Sequence, residues 1–166
     1  MALDGASGAG KAPRLAFVHT DDVPWIEVLA QMHGERRVSV HNKYLEWTDR
    51  RMVSLTRYDP GMVIERHGHV SDQIIYLLEG DLLIGDRPAP AGTLIVLEVG
   101  ARFGPLVAGE SGCLMLEVWF GDPRPVPESR EAHGALLRAR GIEPVELHFD
   151  RPASAPPRKP RDGGGA

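Results

Sequence analysis

Between residues 37 and 120, short apolar runs alternate with turns rich in glycine, proline and aspartate, and this punctuation restricts the chain to a β architecture. Strands are expected at 37–41, 43–47, 52–58, 62–66, 73–78, 81–84, 93–97 and 113–120. Asp59-Pro60-Gly61 supplies a tight turn, in which the proline ring fixes φ and the glycine accepts a positive one. Gly80, Gly85, Gly92, Gly100 and Gly104 mark further corners. Beyond Gly121 the texture changes. Residues 122–127 are extended, 128–140 read as a helix stopped by Gly141, and 145–149 as a returning edge strand.

With 166 residues the chain can bury one proper core, expected in a single domain at 14–150. Residues 1–13 are rich in Gly, Ala and Ser, and residues 151–166 in Pro, then basic residues, then Gly. Neither segment buries enough apolar surface to offset its ordering entropy, so both are expected to be disordered tails. Residues 5–12 have the glycine and lysine spacing of a phosphate-binding loop but lack its closing Ser or Thr and a preceding strand, and read as tail. The formal net charge of −4 gives no footprint for nucleic acid or for an anionic membrane. No apolar run approaches the length of a membrane span, and the N-terminus shows no signal-peptide pattern. Cys113 is the only cysteine, which excludes an internal disulfide and fits a reducing, cytoplasmic setting.

Chemistry concentrates at His67-Gly68-His69. In a strand, residues i and i+2 point to the same face, so both imidazoles aim into one interior at a spacing that suits two ligands of one metal ion. The surroundings extend the pattern: Gly61, five residues, His67-x-His69, three residues, Gln73, six residues, Gly80. This string resembles the first cupin motif, with Gln73 where glutamate is usual. A second, weaker motif begins at Gly92, with Glu98 where proline is usual and Phe103 where the family's third histidine falls. The resemblance covers residues 40–122. It implies a small single-domain bacterial cupin of the RmlC-like kind, an all-β jelly-roll barrel (a double-stranded β-helix) with one C-terminal helix, pairing into a homodimer by sheet packing or strand exchange.

Such cupins hold Fe, Mn, Ni or Zn through three histidines and a glutamate, with positions left open for substrate or oxygen. Carried over, His67, His69 and Gln73 become both the metal ligands and the catalytic residues, while Phe103 offers no donor atom. Glu98, Glu117, Glu65 and His41 are the candidates to replace the missing ligand. Glu117 is a charge inside an apolar run and shares a face with Cys113, Met115 and Trp119. An ion pair with Arg57 or Arg102 on a solvated sheet face is its favoured reading. Glu65, Val63, Ile75, Leu77, Phe103 and Glu117 are the expected pocket residues, with Trp25, Trp47 and Trp119 as further candidate walls. The implied activity is that of a metal-dependent enzyme of dioxygenase, isomerase or lyase type, acting on a small organic acid, enol or ketone. There the metal serves as Lewis acid, and Gln73 or Glu65 orients substrate or shuttles a proton. The alternative is a metal-free, degenerate cupin whose apolar pocket binds a small ligand as a sensor, or which uses a histidine as general base.

Overall fold

A computed structural model describes residues 14–148, 151–153, 155 and 156. The disordered tails expected at 1–13 and over most of 151–166 fall outside those residues, as does Phe149 at the end of the expected edge strand. In chain order the strands are β1 (Ile26–His33), β2 (Arg36–Trp47), β3 (Met52–Tyr58), β4 (Val63–Ile64), β5 (His67–His69) and β6 (Gln73–Ile84). There follow β7 (Arg87–Pro90), β8 (Leu94–Leu97), β9 (Leu106–Trp119), β10 (Pro125–Pro127), the helix α1 (Arg130–Ala139) and β11 (Ile142–Val145).

The strands are longer than the local punctuation suggests. Residues 37–41 and 43–47 join into β2, which absorbs its irregularity as a bulge between Tyr44 and Glu46. Residues 73–78 and 81–84 likewise join into β6, because Gly80 is a bulge position rather than a chain reversal. A Cβ at Gly80 would meet the Gly112 carbonyl oxygen at 2.0 Å, and its φ is +70°, so only glycine fits. β1 was not anticipated: it is an outer strand whose ladder with β2 brings in β11 on its far side. The returning edge strand exists, three residues earlier than expected. α1 starts at the Ser129 cap, whose hydroxyl accepts from the Ala132 amide at 3.1 Å, and it seats Leu137 against Val63 and Ile142.

The expected closure into a barrel does not occur. The main sheet is an open path, β11-β1-β2-β3-β9-β6-β7, with β4 attached to β9 and β8 to β6; β5 and β10 form a separate two-stranded sheet. Closure needs strands that can offer a full ladder on both edges. β4 has two residues, β5 has three, and β10 is Pro125-Val126-Pro127, whose prolines have no N–H to give. The jelly-roll plan of an all-β fold with one C-terminal helix therefore stands, with an open sheet curled around its core. That core holds Val38, Val40, Ile75, Leu77, Leu82 and Met115 on the inner face.

Where the ladder of β4 stops, a side chain takes over. The buried Gln31 of β1 donates from Nε2 to the Val63 carbonyl at 2.5 Å and accepts from the Val63 amide at 3.3 Å. Its carboxamide thus imitates a neighbouring strand for one residue. Gln31→Leu keeps the volume and strands two buried backbone groups, so it should lower unfolding free energy by roughly 2–4 kcal/mol. Urea denaturation checks this; a loss within the ordinary surface range would remove the clamp from the account.

Candidate functional site

The alternation of β9 decides which side chains meet. Cys113, Met115, Glu117 and Trp119 are buried, whereas Leu114, Leu116 and Val118 are only partly so and Phe120 is exposed. On β3 the inward positions are Met52, Ser54, Thr56 and Tyr58, and on β6 they are Gln73, Ile75 and Leu77. These faces, with β2, line an open-mouthed cavity of about 550 Å³. Glu65, His67, His69, Gln73, Ile75, Phe103 and Glu117 all line it. Val63 and Leu77 do not: Val63 packs with Leu137 under the helix, and Leu77 lies in the core behind the cavity. Trp47 and Trp119 are walls, while Trp25 lies under the Arg57 guanidinium, 4.3 Å from its ring centre. The other proposed substitutes for a ligand stand apart, since Glu98 is exposed and His41 is not among the lining residues.

Glu117 makes no ion pair with Arg57 or Arg102. It is 6% exposed and faces inward from the middle of the sheet, which corrects the solvated-face reading. Its Oε2 accepts from the Thr56 hydroxyl and its Oε1 from Gln73 Nε2 at 3.1 Å; Thr56 in turn lies 3.2 Å from the Ser54 hydroxyl. Asn42 stands opposite Thr56 in the β2–β3 register. The register sets Glu117 opposite Ser54 on β3 and Ile75 on β6, so its bonds to Thr56 and Gln73 run diagonally, and with Asn42 they form a polar row stepping across four consecutive strands, β2, β3, β9 and β6. The sequence signal for this row was a set of small polar residues at the inward parity of β3. It was masked because Val53 and Leu55, at the outward parity, look like the buried face.

The two histidines do face one interior. Their ring centres are 5.1 Å apart and nearly perpendicular, and both rings are buried. Gly68 between them lies so close to the loop between β8 and β9 that a Cβ would sit 2.3 Å from the Ala101 carbonyl oxygen. His67 Nδ1 donates to the Glu65 carbonyl at 2.8 Å, and His69 Nδ1 to the Pro123 carbonyl at 3.0 Å. That leaves each Nε2 as the lone-pair nitrogen of a neutral ring. Burial lowers both imidazoles; His69 falls to about 4, with His67 beside it adding to the effect. Phe103 lies against the pair, 4.6 Å from the His67 ring centre, and exchanges backbone hydrogen bonds with His67.

This donor set does not make the expected metal centre. Among the described residues, no three His, Cys, Asp or Glu are grouped so as to hold an ion. Gln73 is neutral and turns its amide nitrogen to Glu117, while Glu117 is engaged by Thr56 and Gln73 and Phe103 brings an apolar ring. The assignment of a divalent Fe, Mn, Ni or Zn cofactor is therefore withdrawn, and with it the metal-dependent oxygenase, isomerase or lyase. What remains is a chamber with apolar and aromatic walls and a few buried polar groups. Three of its residues, Asn42, Gln73 and Trp119, each carry a buried polar atom (Oδ1, Oε1 and Nε1) without a partner among the described residues.

Residues 13–119 match the family model described as the ChrR Cupin-like domain. No curated protein matches the sequence. Among solved structures the chain is similar to KdgF from Halomonas sp., with 23% identity, a TM-score of 0.52, and coverage of 70% of this chain and 99% of that one. It is also similar to the polyketide cyclase RemF from Streptomyces resistomycificus, at 21% identity and a TM-score of 0.55, covering 70% of this chain and 87% of that one. A putative acetylacetone dioxygenase from Methylibium petroleiphilum PM1 gives 16% identity and a TM-score of 0.57, covering 76% and 96%. At these identities the likeness is one of fold.

Burial raises the Glu117 carboxyl from its ordinary 4.5 to about 7, with Thr56 and Gln73 pulling the other way. The native state then holds this proton more tightly than the unfolded chain. Its stabilising contribution is full below the unfolded carboxylate value and is lost as pH rises to about 7. His67 and His69 act oppositely: their contribution is full above the unfolded imidazole value and is lost as pH falls through their lowered native values. The two trends offset each other at mildly acidic pH, so a variant is needed to separate them. Glu117→Gln should gain stability relative to the parent chain as pH rises from about 5 to about 8. Urea unfolding at several pH values checks it; a difference flat in pH would contradict a buried, protonatable carboxyl.

Proposed function

The chain belongs to the ChrR cupin-like domain family, and we propose that within it this protein is a metal-free binding module, holding a small organic ligand in the inner cavity as a sensor does. The observation that carries this reading is the cavity itself. About 550 Å³ is the volume of a typical small-molecule site, and this one combines apolar walls with a few buried polar groups. Asn42 Oδ1, Gln73 Oε1 and Trp119 Nε1 are buried without a partner among the described residues, and leaving such an atom unpaired costs about 1–3 kcal/mol. A ligand bearing hydrogen-bonding groups recovers that cost after small side-chain rotations.

In this reading His67 and His69 are neutral acceptors on the cavity wall. An imidazole as low as about 4 is a weak base, which favours binding over general-base catalysis. Glu65 contributes its carbonyl to the orientation of His67, and Ile75 and Phe103 supply apolar wall. No helix among the described residues is long and apolar enough to cross a membrane. A reducing, cytoplasmic setting belongs to the proposal and is supported by the lone buried Cys113.

A homodimer belongs to it as well. Its support is the outward face of β6 and β8, where Tyr76, Leu78, Leu94 and Val96 are all exposed, the last at 64%. Replacing Leu94 and Val96 by glutamate should turn a dimer into a monomer in sedimentation, and a parent chain that is already monomeric would end this part of the proposal.

The metal-free reading has its own test. Protein dialysed against a strong chelator should keep its thermal stabilisation by small organic binders, and Gln73→Leu should reduce that stabilisation severalfold in affinity. Binding that vanishes with the chelator and returns with a divalent ion would overturn the reading.

A further inference from the structure

We infer that the cavity recognises an organic cation, a ligand that presents a primary ammonium group to Glu117 and lays an apolar body against Trp119 and Phe103. This rests on the ligand-binding reading above and gives it a chemical class.

The first ground is the hydrogen-bond pattern around Glu117. Both carboxylate oxygens receive donors, Thr56 on one and Gln73 on the other. That is how an ionised carboxylate is solvated, yet no Lys or Arg among the described residues reaches it. Buried carboxylates are ordinarily paired with a cation. The second ground is the polar row itself. Its remaining buried groups include the unpartnered oxygens of Gln73, which is bonded to Glu117, and of Asn42, which stands opposite Thr56 one strand further on. Carbonyl-type oxygens beside a carboxylate provide acceptors for an ammonium, which has three protons to donate and nothing to accept.

The third ground is the charge of the walls. The lining carboxylates are Asp49, Glu65, Glu117 and Asp122, against Arg124 and Arg151. Arg124 is paired to Asp122 at 2.8 Å, and Arg151 lies over the Trp47 ring, 4.4 Å from its centre. Among the described residues no Lys or Arg forms an ion pair with Glu117, so an ammonium finds there a carboxylate, the Gln73 amide oxygen and the Trp119 indole. His67 and His69 add lone pairs and no positive charge.

The test uses three probes of one shape on the full chain: benzylammonium, benzyl alcohol and benzoate, titrated at about pH 8 with tryptophan fluorescence and calorimetry as readouts. Benzylammonium should bind about tenfold or more tighter than benzyl alcohol, and benzoate weakest of all. In Glu117→Gln that preference should collapse to within about twofold. Asn42→Leu, an independent change on another strand, should weaken benzylammonium severalfold. Near-ultraviolet circular dichroism establishes that each variant is folded. Alcohol or benzoate binding as well as the ammonium, or an unchanged preference in folded Glu117→Gln, overturns the cation reading and leaves the cavity reading in place. Silence from all three probes, together with no binder in a broader neutral panel, overturns the cavity reading itself.

Discussion

β9 runs beside β3 without a register shift from Cys113 to Trp119, and beside β6 on its other edge. Because side chains alternate along a strand, this one ladder sets which residues can share the interior. Slipping it by one residue would turn Glu117, Met115 and Trp119 outward and bring Leu114, Leu116 and Val118 in. The cavity would then lose its carboxyl and its indole wall together. The buried Glu117 is accordingly a constraint on register as well as a chemical group, since it finds Thr56 and Gln73 in only one alignment.

How much of this was legible in the residues follows from the range over which each signal acts. Turn chemistry is local, so the Asp59-Pro60-Gly61 corner and the helix stopped by Gly141 could be read directly, though its start was read two residues early. The His67-x-His69 parity is equally local, and the two rings do share an interior. Barrel closure is not local. It depends on whether strands far apart in sequence can complete a ladder, and the prolines of β10 with the brevity of β4 decide against it. The break read between residues 41 and 43 fails for a related reason. Asn42 looks like a turn residue, but it continues β2 and points a polar group inward, where a site needs one.

The face of β9 is the sharpest case. An apolar run with a single acid invites the view that the acid marks the wet side. Here the outer parity is also largely apolar, so composition along the strand cannot distinguish the faces. The pairing partners do: Ser54 and Thr56 lie on the inner parity of β3, and together with Glu117 they form a polar patch that no single strand announces. Sites built across several strands are read from register, and register is what one sequence withholds longest.

The backbone at Gly68 separates where the imidazoles sit from what they encounter. With the Ala101 carbonyl so near, no side chain can be introduced there without moving β5 off the loop between β8 and β9. The two rings are thus aimed by main-chain groups, the close approach at Gly68 and the Glu65 and Pro123 carbonyls that accept from each Nδ1. Gln73 and Glu117 belong to other strands and hydrogen-bond to each other rather than to either imidazole. Such a scaffold tolerates a change of chemistry at constant geometry, and it offers protein engineers a fixed pair of nitrogen acceptors around which a new specificity can be assembled.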